Sequence, residues 1–316
     1  MVRLGRSDLD VFPVCLGGNV FGWTADERQS FMVLDAYVDA GGNFIDTSDS
    51  YSAFAPGNVG GESETVIGNW IAARGNRASV VIATKVGRKP DRQGLSRANI
   101  RAAVEESLAR LQTDYIDLYY AHADDPATPL DETLATFDEL IKEGKVRYIA
   151  ASNYAASRLE QALEISDRLG LARYVALQPH HSLVEREHYE GPLADLCERE
   201  DLACLPYWAL ARGFLTGKYR PDGAEVDSPR AGQAAQYLDN RGIRVLEALD
   251  RVAETQRTTV AAVALAWVLA QPTVAAPIAS ARNPEQLSEI LPAAELRLDP
   301  DEVRELSAAS AQPATT

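Results

Sequence analysis

Eight short apolar runs, separated by segments of helical periodicity, constrain what this chain can fold into more than any other feature. The runs occupy residues 13–18, 44–46, 80–85, 115–122, 146–151, 174–178, 203–207 and 274–278. Between them, 27–40 repeats Phe31, Leu34 and Val38 on one face before Gly41 and Gly42, and 62–74 places Val66, Ile67, Trp70 and Ile71 together. A third helix, capped near Ser96, carries Ile100, Val104, Leu108 and Leu111, and a fourth over 129–143 is stopped by Gly144. Further helices are expected over 155–169, 187–200, 241–256, 260–270 and 284–290, the last opened by Pro284.

Strands that alternate with helices in this way form a parallel sheet, and eight of them close as a (β/α)8 TIM barrel. The 316 residues fit one such domain, 1–316. An open doubly wound sheet ranks lower, because no G-x-G-x-x-G follows the first strand and no composition break divides the eight units. Ahead of the barrel, residues 2–13 read as a β-hairpin turning at Gly5, Ser7 and Asp8, placed to plug one end. A polar insertion at 221–240 is a candidate substrate loop, and 310–316 reads as a flexible tail.

Composition narrows the function classes. With 46% hydrophobic and 24% charged residues the chain is ordinary globular protein, and a formal charge of -15 argues against general binding to nucleic acid or an anionic membrane. An anionic ligand would need a local basic pocket. Cys15, Cys197 and Cys204 are too few and too irregular for a disulfide framework or a metal site, so reduced thiols, a cytoplasmic location and no metal are expected. The N-terminus has no apolar core of a secretory signal, and no run is long enough to span a bilayer.

The chemistry gathers where three successive strands end. Runs two, three and four finish at Asp46, Lys85 and His122, and Tyr51 lies on the loop after Asp46. Singly, each has a bland reading as a loop cap, a surface lysine or a structural ring. At matched ends of neighbouring barrel strands they face one mouth, where active sites of this fold sit. An ammonium beside a phenol favours the phenolate, and a carboxylate beside a buried lysine keeps it charged. The expectation is therefore a Tyr51 pKa lowered by Lys85, with His122 orienting a carbonyl oxygen by hydrogen bonding. Such a site protonates an oxygen as negative charge builds on it, as hydride addition to a carbonyl requires. Reduction should then weaken, and alcohol oxidation strengthen, as pH rises through the lowered value.

Ordered motifs extend the reading. They include Arg3-Leu-Gly-Arg-Ser, Asn43-Phe-Ile-Asp-Thr-Ser-Asp-Ser-Tyr, Ala83-Thr-Lys, Ala121-His, Ala151-Ser-Asn and Leu177-Gln-Pro. Pro206-Tyr-Trp-Ala-Leu-Ala-Arg-Gly-Phe-Leu-Thr-Gly-Lys-Tyr and Pro277-Ile-Ala-Ser-Ala-Arg-Asn-Pro-Glu-Gln-Leu follow. In order and spacing the chain resembles the aldo-keto reductase family nearly end to end. The resemblance implies NADP(H) held extended across the barrel mouth and a small-molecule carbonyl substrate, an aldehyde, ketone or sugar-derived compound. It implies Tyr51 as proton donor, Lys85 and Asp46 as its tuning pair and His122 as the substrate-orienting group. It further implies Ser152, Asn153 and Gln178 at the carboxamide, Tyr207 stacked on the nicotinamide, and the run from Leu210 through Gly213 to Lys218 around the pyrophosphate. Ser280, Arg282, Gln286 and Glu289 would surround the adenosine phosphate and adenine, while Gly18, Asn19 and Trp23 would line the nicotinamide and substrate side. Trp208 stands where the family often carries serine, and Ile290 where it often carries asparagine.

Preference for NADP(H) over NAD(H) rests on Arg282, a bidentate fork after strand eight at the start of a helix. Two rivals stay open: a Schiff-base aldolase using Lys85, and a cofactor-binding regulatory subunit like the potassium-channel relatives of this fold.

Overall fold

The computed structural model describes residues 1–221 and 223–311. Eight parallel strands surround a filled interior: β1 (Cys15–Gly17), β2 (Phe44–Asp46), β3 (Val81–Val86), β4 (Ile116–Ala121), β5 (Val146–Ser152), β6 (Tyr174–Gln178), β7 (Ala203–Cys204) and β8 (Ile278–Ala279). Sequential strands are neighbours from β1 to β7, and β8 pairs with β1. The ring closes where Ala275 N–H donates to Cys204 O at 2.9 Å and Ile278 N–H to Pro206 O at 2.8 Å. This is the (β/α)8 barrel.

The apolar runs look continuous in sequence because both faces of each strand are buried. Their period of two appears in the packing. Phe44, Val81, Ala83, Leu118, Tyr120, Ala150 and Ala176 fill the interior, whereas Ile45, Ile82, Tyr119, Ile149 and Leu177 pack outward with the helices. The N-terminal hairpin, Val2–Arg3 against Asp10–Val11, sends fully or almost fully buried Leu4, Leu9 and Val11 into the interior cluster. Its turn comes so close that a Cβ on Gly5 would lie 2.6 Å from Val175 O, and Gly5 itself has a φ of +46°.

The helices are α1 (Glu27–Asp39), α2 (Glu62–Arg74), α3 (Arg97–Leu111), α4 (Leu130–Lys142), α5 (Ala156–Leu169), α6 (Pro192–Glu200), α7 (Ala231–Ala235), α8 (Asn240–Gln256), α9 (Val260–Leu269), α10 (Pro284–Ile290) and α11 (Pro300–Ser310). Among the described residues no helix is long and apolar enough to cross a membrane.

Three differences from the sequence reading have local causes. Helix α6 begins at Pro192 rather than 187, because Gly191, at φ +88°, breaks the chain just before a proline suited to a first turn. The 221–240 insertion is not all loop, since α7 forms inside it. Position 310, expected in the tail, is helical instead: Ser310 is the buried last residue of α11, accepting a hydrogen bond from Arg186. Residues 312–316 lie outside the described residues.

Candidate active site

Side-chain alternation explains why the polar strand ends converge. If Phe44 points inward so does Asp46, and the same parity carries Val81 and Ala83 to Lys85, Ala150 to Ser152 and Ala176 to Gln178. Each strand runs out of apolar interior residues at one end of the barrel and presents a polar one. His122 is held just past β4 by its N–H, which donates to Val86 O at 2.9 Å.

The resulting cluster is tightly connected. Lys85 Nζ donates to Asp46 Oδ2 at 2.6 Å, to Thr47 O at 2.8 Å and to the Tyr51 hydroxyl at 2.8 Å. Tyr51 in turn donates to Asp46 Oδ2 at 2.9 Å, and Gln178 Nε2 donates to Asp46 Oδ1 at 2.9 Å. The Lys85 and Asp46 side chains are 0% and 1% exposed, so the ion pair forms the floor beneath Tyr51. The His122 and Tyr51 rings meet edge to face with centroids 6.2 Å apart. On the far side, Tyr207 donates to Asn153 Oδ1 at 2.7 Å, and Asn153 Nδ2 donates to His122 O at 2.9 Å.

Electrostatics overturn one expectation. The phenol of Tyr51 is pushed well above its ordinary pKa, first by burial and then by the Asp46 carboxylate that accepts its proton. Lys85 was expected to dominate, but its charge is shared with Asp46, which contacts the same hydroxyl. The ammonium of Lys85 is itself lowered by burial, against the opposing pull of Asp46. His122 is pushed well below its usual value by burial and by the nearby cations Lys85 and Arg88, so its ring is neutral near pH 7.

Above this floor opens a cleft of about 860 Å³. Tyr51, His122, Trp23, Asn19, Ser152, Asn153, Gln178 and Tyr207 line it toward the barrel axis, and Leu210, Gly213, Lys218, Ser280, Arg282, Gln286 and Glu289 also line it. Gly18 does not line it: a Cβ there would meet Ser63 Oγ at 2.8 Å and Asp46 O at 3.1 Å, behind the cleft wall. Gly17 takes the lining role, since a Cβ on it would come within 2.6 Å of Ser280 Oγ.

The cleft is cationic although the protein is strongly acidic. Arg88, Arg212, Lys218, Arg230 and Arg282 all line it, and none is ion-paired to a carboxylate among the described residues. Arg212 lies over the Trp208 ring, its guanidinium carbon 3.9 Å from the centroid, and its Nε is buried with no hydrogen-bond partner among the described residues. The Lys218 ammonium is lowered by burial and by Arg282 beside it. Crowded cations with an orphaned donor fit a polyphosphate ligand, whose charge would relieve both.

Helix α10 contributes less than its position after strand eight suggests. It has seven residues, and its Asn283 side chain already accepts from Gln286 N–H, which leaves the Arg282 guanidinium as the positive group at this end of the cleft. Arg88 and Arg230, missed in the sequence, sit on the short hairpin after β3 and at the cap of α7; only long-range folding brings them to the mouth.

A barrel whose polar strand ends converge on a cation-lined mouth has the architecture of the enzymes of this fold, with their active sites at the C-terminal face. Residues 13–311 match the model of the Aldo/keto reductase family, and the chain belongs to that family of oxidoreductases. It is 36% identical over 313 residues to the uncharacterized oxidoreductase YrpG of Bacillus subtilis, covering 96% of this chain and 94% of that one. Norsolorinic acid reductase of Aspergillus flavus is 32% identical, over 94% of this chain and 77% of its own length. A putative voltage-gated potassium channel subunit beta of Schizosaccharomyces pombe is 33% identical, over 96% and 91%.

Proposed function

We propose that the protein is an NADPH-dependent reductase of aldehydes or ketones, with Tyr51 as the general acid. The observation that carries this reading is the Tyr51 hydroxyl itself, held between Lys85 Nζ and Asp46 Oδ2 at the floor of the cleft and beside a neutral His122. NADPH, when bound, supplies the hydride. Tyr51 holds a proton that the raised pKa keeps in place until an oxygen beside it gains negative charge. Lys85 then stabilises the phenolate left behind, and Asp46 keeps Lys85 cationic. His122 orients the carbonyl oxygen as a neutral hydrogen-bond donor.

For the cofactor, Ser152, Asn153 and Gln178 would hold the carboxamide and Tyr207 would stack on the ring. Arg212, Gly213 and Lys218 would take the pyrophosphate, and Ser280, Arg282, Gln286 and Glu289 the adenosine phosphate and adenine. Three buried free cysteines support a reducing, cytoplasmic setting. A Schiff base at Lys85 is disfavoured, because Nζ already makes three hydrogen bonds beneath the cleft floor.

The test is NADPH consumption against a panel of aldehydes, ketones and sugar-derived carbonyls, with NADPH binding followed separately. Turnover that depends on Tyr51 supports the reading. Tight NADPH binding without turnover anywhere on the panel would replace it with a cofactor-binding regulatory subunit, a role compatible with the word subunit in the name of the Schizosaccharomyces pombe relative.

A further inference from the structure

Behind His122 lies a second acid that the reaction scheme does not use. Asp49 is 1% exposed, and its Oδ2 is buried with no hydrogen-bond partner among the described residues. Its other oxygen, Oδ1, accepts from Ser48 Oγ at 3.3 Å, and Ser48 Oγ lies 3.2 Å from His122 Nδ1. The same hydroxyl accepts from Ser50 N–H at 3.2 Å and stands 2.9 Å from Ser50 Oγ. One serine proton and one remaining lone pair are thus shared among an acid, a hydroxyl and an imidazole.

That shortage couples the two ends. We propose that Asp49 is a positioning residue which sets, through the Ser48 hydroxyl, the nitrogen of His122 that carries the proton. An ionised Asp49 only accepts, so it draws the Ser48 proton, and His122 Nδ1 can be satisfied only by donating N–H to Ser48 Oγ. The cleft then meets His122 Nε2 as an acceptor. A protonated Asp49 releases the Ser48 proton to His122 Nδ1, and Nε2 becomes an N–H donor. One proton is gained at the carboxyl, and the imidazole stays neutral throughout.

The surroundings put this exchange in the physiological range. Burial is the main force raising Asp49, pushing it up to about 7, and the Glu64 carboxylate from α2 adds to it. Arg110 of α3 and Arg92 of the hairpin after β3 oppose the rise. Lys85 of β3 and Tyr119 of β4 also feel the Asp49 charge. Glu64 accepts from Arg110 Nε at 2.7 Å and from Thr84 Oγ1, whereas no arginine or lysine donates to Asp49 among the described residues.

Only the kinetic consequence rests on the reading of His122 as the carbonyl-orienting group. The tautomer does not, so it is measured first, on the cofactor-free protein. The chain has four histidines, and 15N labelling of histidine resolves which ring nitrogen of each is protonated. His122 should pass from Nε2–H to Nδ1–H as pH rises from about 5.5 to 8.5, with a midpoint set by Asp49. In Asp49→Asn it should hold one tautomer over that range. In Ser48→Ala the switch should vanish while the Asp49 carboxyl, read by its 13C shift, still titrates.

If carbonyl turnover is found, wild-type kcat/KM for reduction should fall roughly fivefold to tenfold across the same midpoint, the worth of one neutral hydrogen bond. Asp49→Asn should flatten that profile. A His122 tautomer constant with pH in the wild type, or a switch that persists in either variant, overturns the proposal. A protein with the switch but no turnover would leave the relay standing and remove the reductase reading instead.

Discussion

At Tyr51 two influences compete, and their balance decides the pH behaviour. The sequence places an ammonium near the phenol, which argues for a lowered pKa, but it cannot show that the carboxylate of Asp46 would contact the same hydroxyl in a buried site. Burial and Asp46 win, and the pKa is raised. The sign follows directly: Tyr51 stays protonated through the neutral range and above, so no crossover between reduction and oxidation should arise there from its ionisation. Tyr51→Phe removes the proton donor and keeps the ring, so carbonyl reduction should fall on the order of 10²- to 10⁴-fold while NADPH binding, followed by fluorescence, survives. Retained turnover in that variant would dismiss the role of Tyr51. Asp46, Lys85 and His122 were legible because they end neighbouring strands that open on one mouth, with Tyr51 on the loop after Asp46. Asp49 was not, since a buried carboxylate oxygen without a partner among the described residues shows only in the fold.

Elements were legible where periodicity and caps agreed. Ser96 caps α3 as expected, and α2 and α3 bury the stripes their apolar spacing indicates, whereas α1 buries Val33, Leu34 and Tyr37 and leaves Phe31 and Val38 half-buried. Helix α11 was passed over although Asp299, Pro300 and Glu302 spell a capping box with proline in the first turn. What sequence could not show is how closely elements approach. Gly68 sits where α2 meets α3, and a Cβ there would fall 2.0 Å from Arg110 O, a backbone atom with little freedom to move. Alanine gains about 1 kcal/mol in helix propensity, but overpacking costs about 1–3 kcal/mol. Gly68→Ala should therefore lower the denaturation midpoint, and a higher midpoint would mean the helices part easily. Arg282 belongs to the same scale: α10 is short and capped, so under the proposed NADPH reading the guanidinium would be the group that meets a 2'-phosphate. Arg282→Ala should weaken NADPH roughly 10- to 100-fold and barely change NADH. Equal losses in the two dissociation constants would assign Arg282 a different role.

For the whole molecule, an acidic chain concentrates cations without a carboxylate partner among the described residues at one mouth and apolar side chains at the other. The sequence demanded a basic pocket for any anionic ligand, but Arg88 follows β3, Arg212, Lys218 and Arg230 follow β7 and Arg282 follows β8, so only closure of the barrel brings the three connections together. The hairpin plug was legible in its alternation, and the structure shows what it does: Leu4, Leu9 and Val11 complete the interior cluster that the strands begin. Stability and chemistry are thus assigned to opposite ends, as the fold generally permits. Leu4 is fully buried, and shortening a buried leucine to alanine costs about 2–5 kcal/mol, or roughly 5–10 °C in Tm for a chain of this size. Leu4→Ala should show that loss while keeping wild-type NADPH affinity, measured well below its Tm. The Tyr51→Phe variant should show the converse, a wild-type Tm with the chemistry removed. If Leu4→Ala instead weakened NADPH binding at temperatures where the protein remains folded, the plug would be coupled to the mouth through the barrel interior, and the separation of the two ends would not hold.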